Sequence, residues 1–130
     1  MARPKRRGAA HEAHVRLYAH ELACPAYRTL SPDARALLIE LRSLYRPSQG
    51  NIVFLSVREA MERVGIGQRR MQVAFADLRE RGWIAVHEPG SFTRKVRHAT
   101  SYRLLNEPSA APGAVAEKAY MRWTPDEKTR

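Results

Sequence analysis

The sequence predicts a mainly helical domain that finishes in a small β-hairpin. Three observations carry this prediction. Apolar residues at helical spacing follow helix starts at Ser31-Pro32 and Ser56 and recur from Gln68 onward; the glycine-framed break Gly65-Ile66-Gly67 separates two of those segments; and β-forming residues flank Pro89-Gly90 late in the apolar pattern. Ser31 supplies a cap for exposed backbone N–H groups, and Pro32 at the first helical position gives up a donor that has no partner there. Ala34, Leu37, Leu38, Leu41 and Tyr45 then share one face, and the helix is expected to end near Tyr45, before Arg46-Pro47.

Pro47 to Asn51 is turn chemistry, and Ile52 to Leu55 is short and apolar, suited to a brief strand. Ser56-Val57-Arg58-Glu59 reads as a capping box, with Ser56 accepting from the Glu59 N–H and the Glu59 carboxylate reaching back. Val57, Ala60, Met61 and Val64 form the stripe of a short helix that Gly65 ends in the left-handed conformation, turning Ile66 into the core. A third helix is predicted over 68–81, with Met71, Ala74, Phe75 and Leu78 inward and Gly82 as its stop. Trp83 to His87 and Ala99 to Leu105, where Tyr102 and Leu104 alternate, form a hairpin with a long basic tip.

The chain of 130 residues is 44% hydrophobic and 28% charged, the composition of one globular domain rather than of a disordered or fibrous chain. Its expected organisation is a basic arm over 1–12, a domain with an N-terminal extension over 13–106, and a linker and tail over 107–130. Glu107 to Ala116 is rich in Pro, Ala and Ser and reads as linker. Tyr120, Met121 and Trp123 beyond it either dock back on the domain or belong to an interface with a second copy or another protein.

No apolar stretch approaches the roughly 20 residues of a membrane helix, and no apolar run follows the basic N-terminus as in a secretory signal. Cys24, the single cysteine, reads as a small buried apolar residue and fits a reducing compartment; a cytoplasmic protein is expected. His11, His14, His20 and Cys24 lack the closely paired spacing of structural zinc ligands, so no metal is expected. There is no GxSxG, Walker loop, HExxH or glycine-rich dinucleotide turn; the expectation is a protein without catalytic residues or cofactor.

The formal net charge of +10 is clustered. Arg3, Lys5, Arg6 and Arg7 lie within residues 1–10 without an acid, and Arg94, Lys95, Arg97 and Arg103 lie within 91–103, also without one; residues 11–67 carry only +1. Such clustering points to a polyanionic partner.

Ser56 to Gly82 followed by Trp83 to Leu105 resembles a winged helix-turn-helix domain, the three-helix DNA-binding fold with a two- to three-stranded wing. Pro25 to Pro32, Leu55 to Ala60, Leu78 to Ile84 and Gly90 to Lys95 resemble small bacterial helix-turn-helix proteins, many of them linked to plasmids and integrative elements. The resemblance implies that the helix over 68–81 enters the major groove while the preceding helix lies across the backbone. At about 100° per residue, Arg69, Gln72, Val73 and Ala76 lie opposite the core stripe, with Gln68 and Arg70 flanking; these six are the candidates for base readout. Ser56 and Arg58, the wing residues Arg94, Lys95, Arg97 and His98, and the arm residues Arg3, Lys5, Arg6 and Arg7 are the candidates for backbone or minor-groove contact.

Each assignment has a plainer counterpart: Arg69 and Arg70 as a solvated helix face, the wing basics as an edge-strand guard, the arm as a solubilising tail. The implied role is a transcriptional regulator, or a replication or excision factor of a mobile element, associated with the nucleoid when bound and dimeric by analogy. The alternatives are a winged-helix module that binds protein through its C-terminal aromatics, and a binder of structured RNA.

Overall fold

A computed structural model describes residues 12–92 and 97–125. It is a mixed structure, five helices and a small three-stranded antiparallel sheet with a two-stranded extension. The helices are α1 (Ala19–Ala23), α2 (Pro25–Arg28), α3 (Pro32–Ser43), α4 (Val57–Val64) and α5 (Gln68–Glu80). The strands are β1 (Ile52–Phe54), β2 (Ile84–Glu88), β3 (Ser91–Phe92), β4 (Arg97–His98) and β5 (Ser101–Leu104). None of the described helices is long and apolar enough to cross a membrane.

α3 begins where Ser31 Oγ accepts the Ala34 N–H at 3.1 Å and ends at Ser43, two residues before Tyr45. Its inward Ala34, Leu37, Leu38 and Leu41 are buried against the Met71, Ala74, Phe75 and Leu78 stripe of α5 and against Ala60 of α4. These apolar faces have no other route out of water, and their burial drives the three helices together. Gly65 at φ +86° closes α4 in the left-handed region, and Ile66 packs on the core. The capping box is only half made: Ser56 Oγ accepts the Glu59 N–H at 3.0 Å, while the Glu59 carboxylate holds Arg63 one turn on instead of reaching back.

The sheet has the order β1-β5-β2, with Val53 opposite Tyr102 and Val86 opposite Tyr102 on its other side. The brief strand expected before Ser56 is thus the third strand of the hairpin's sheet. Phe75 of α5 stacks on Tyr102 at 5.3 Å, joining helix to sheet.

The N-terminal extension forms α1 and α2. Beyond the stretch read as linker, the chain returns to the domain. Lys118 N–H donates to the Leu105 carbonyl, a 3-10 turn follows over Ala119–Arg122, and Tyr120 is completely buried. The Tyr120 ring lies 4.1 Å from that of Trp83 and nearly parallel, while Tyr27 meets Trp83 edge-on at 6.1 Å and the indole N–H donates to the Ala26 carbonyl. Gly82 at φ +84° permits this, since a Cβ there would stand 2.8 Å from the Tyr120 backbone nitrogen. Trp123 packs partly buried, its indole N–H donating to Glu80, and Met121 remains exposed.

Beneath the aromatic stack lies a buried ion pair. Glu21 accepts from both terminal nitrogens of Arg42 at 2.9 and 3.0 Å, from the Tyr18 N–H at 2.9 Å and from the Tyr120 hydroxyl at 2.7 Å. Burial pushes the Glu21 carboxyl up, but the donors from Arg42, Tyr18 and Tyr120 outweigh it and hold the group below its ordinary 4.5; burial and Glu21 push the Tyr120 hydroxyl up. A carboxyl lowered by folding stabilises the native state fully above pH 4.5, and that contribution is lost as pH falls through its lowered value. Glu21→Gln leaves Arg42 buried without its counter-charge and is expected to cost about 3–5 kcal/mol in thermal or denaturant unfolding. The same variant is expected to flatten the dependence of stability on pH below 4.5; an unchanged acid limb would remove Glu21 from this account.

Candidate nucleic-acid interface

The face of α5 opposite its core stripe is built by periodicity alone. With Met71, Ala74, Phe75 and Leu78 buried, Gln68, Arg69, Arg70, Gln72, Val73 and Ala76 are all exposed. Val73, half exposed, is an apolar side chain left in the middle of this face. Gly67 precedes the helix without a side-chain cap, leaving the first N–H groups of α5 and the positive end of its dipole open to solvent.

The arginines differ in what they already hold. Arg42, Arg63, Arg81 and Arg103 are paired with Glu21, with Glu40 and Glu59, with Asp77 and Glu80, and with Glu117 respectively. Arg58, exposed on the first turn of α4, and Arg69, on the first turn of α5, have no hydrogen-bond or ion-pair partner among the described residues; the same holds for the Gln68 and Gln72 side chains. These are donors free to meet a ligand. Arg70 differs from its neighbour, donating from Nε and Nη2 to the two oxygens of Asp33 on α3 at 2.9 and 2.7 Å. The pairing holds the Asp33 carboxyl below its ordinary value and the Arg70 guanidinium above its own. Ser56 is half-buried, and its oxygen serves as the cap of α4.

The hairpin carries the other cluster. β2 continues through Pro89-Gly90 into β3, and β4 leads through residues 99–100 into β5; Ser91 of β3 pairs with His98 of β4 and Phe92 with Arg97. Arg97 and His98 therefore lie on β4, while Arg94, Lys95 and the arm Arg3, Lys5, Arg6 and Arg7 fall outside the described residues. The base of the hairpin is held by two hydroxyls that sequence reasoning did not single out. Ser101, fully buried at an irregularity between Val86 and Glu88, accepts the Glu88 N–H at 3.1 Å, and Thr100 accepts the Gly90 N–H at 3.0 Å. A serine at the start of a strand carries no periodic signal for such a role. Asp33 carries no local signal for its role either, since 37 residues separate it from Arg70.

Of the two alternatives for Tyr120, Met121 and Trp123, an interface or docking back on the domain, Tyr120 takes the second: it is buried in the core, which leaves it no surface for a partner. Among the described residues, no group of three or more His, Cys, Asp or Glu side chains is placed to hold a metal ion.

Ser101→Ala removes the acceptor of the Glu88 N–H at a buried site and is expected to cost about 1–3 kcal/mol. Amide exchange should quicken at Glu88 while the amides of α5 keep their protection; loss of protection in both would show that the hairpin base is not a separate unit.

No family model, curated protein or solved structure matches the chain.

Proposed function

We propose that the chain binds double-stranded DNA as a winged helix-turn-helix protein, with α5 in the major groove and the 91–98 hairpin as the wing on the backbone or in the adjacent minor groove. The observation that carries this reading is the outer face of α5: a solvent-exposed row of Gln68, Arg69, Gln72, Val73 and Ala76 whose polar members have no partner among the described residues. Arg forks suit guanine O6 and N7, Gln suits adenine, and Val73 or Ala76 suits a thymine methyl. Arg58, the open N-terminus of α5 and the acid-free runs at 3–7 and 94–97 supply the sequence-independent attraction to phosphates.

On this reading the protein is a regulator of transcription, or a replication or excision factor of a mobile element, as its resemblance implies. A second copy on a two-fold operator would fit such a role. With about 6–10 phosphate contacts, affinity falls by about 10³–10⁵ between 50 and 200 mM salt.

Selection of duplexes from a random pool at about physiological salt tests this directly. An enriched motif is the expected result, and its symmetry reports the oligomer; preference for A-form duplex RNA would instead favour the RNA reading. Arg69→Ala is expected to reduce discrimination at one base position by about 1–3 kcal/mol, whereas Arg58→Ala weakens all duplexes alike and lowers the salt slope by about one. Equal losses on selected and random DNA for both variants would overturn the readout assignment.

A further inference from the structure

We infer that Asp33 is a specificity-determining positioning residue: it holds Arg70 in one orientation so that the remaining edge of the guanidinium reads a guanine. The inference rests on the DNA-binding reading above and adds a residue outside the recognition helix to it.

A guanidinium has five N–H donors in a plane and two edges able to make paired hydrogen bonds. Asp33 occupies one edge, taking Nε–H at 2.9 Å and one Nη2–H at 2.7 Å. Three donors remain, two on Nη1 and one on Nη2, and these include the end-on pair that matches the O6 and N7 acceptors of guanine. The arginine is not hidden by this contact, since its side chain is 64% exposed.

The holder is better fixed than the held. Asp33 is 23% exposed and sits in the first turn of α3 behind Pro32, where the Ser31 cap fixes the backbone. α3 in turn packs along α5 through the buried Leu37, Leu41, Met71 and Ala74. The bridge therefore ties the exposed head of a long side chain to the neighbouring rigid helix, removing rotamer freedom before any DNA arrives.

Charge separates Arg70 from Arg69. Arg69 has no acidic partner among the described residues and attracts any phosphate. The Arg70–Asp33 pair is neutral as a unit, so a phosphate gains little from it and meets a carboxylate behind it. A base edge with two acceptors at the right spacing gains two directed bonds. The pair thus trades general affinity for discrimination, and its removal has two effects of opposite sign.

The test uses the full chain and the duplexes it selects, with titrations of the selected duplex, of duplexes in which each guanine of the motif is replaced, and of an unrelated duplex. Arg70→Ala identifies the guanine position by losing preference there, by about tenfold. Asp33→Asn is expected to lose preference at the same position while binding the unrelated duplex more tightly than the parent does. Asp33→Glu is expected to restore part of the preference, and the Arg70→Ala, Asp33→Asn double variant to lose no more than Arg70→Ala alone. An Asp33→Asn variant that keeps the guanine preference, or that weakens all duplexes equally, overturns the inference. With a motif selected by the parent protein, that failure leaves the DNA-binding reading standing; with no motif selected, both fall.

Discussion

The Glu21 carboxylate is the point on which the architecture closes. A buried carboxylate is tolerated only when its oxygens are satisfied, and four donors converge on this one: two from Arg42, one from the Tyr18 backbone and one from Tyr120. Those donors come from α3, from the segment before α1 and from the returning C-terminal segment. Each is brought into place by apolar contacts that make no demand for charge, above all the stack of Tyr120 on Trp83. The ion pair sets the geometry with which these segments meet, and the aromatic stack supplies the burial.

α5 takes the same logic outward. Its inner stripe is committed to α3, to α4 and through Phe75 to Tyr102 of the sheet, and this commitment leaves the opposite face with nothing to pack against. Donors on that face are free because the helix is held from behind. No member of the Glu21 cluster belongs to that face, and no member of the face contributes to the cluster. Arg70 is the member of that face whose side chain is also tied to a neighbouring helix, through Asp33 of α3.

Wherever a face repeats along one element, it was legible in the sequence. Met71, Ala74, Phe75 and Leu78 mark the buried side of α5, and Gln68, Arg69, Gln72 and Val73 follow as the exposed side by rotation. Gly65 announced its left-handed position, which no other residue type adopts at so little cost, and Gly82, read as the stop of α5, takes the same conformation. The half-made capping box shows the limit of a local motif: Arg63 lies within reach of Glu59 and outcompetes a backbone N–H. The contacts that were not legible join residues far apart in the chain. Tyr120 after a stretch rich in Pro, Ala and Ser has no neighbour in sequence to explain its burial, and Asp33 and Ser101 owe their roles to partners that only the fold supplies.

The hydroxyl of Tyr120 meets Glu21 across 99 positions of chain, whereas the helices that carry the outer face of α5 find one another over a few tens. Closing a longer loop costs more entropy, so of the two contacts the one made by Tyr120 carries the larger chain-closure cost. What offsets that cost is the work of a latch in the folded molecule: the returning segment covers the Trp83 indole and gives the Glu21 carboxylate its fourth donor.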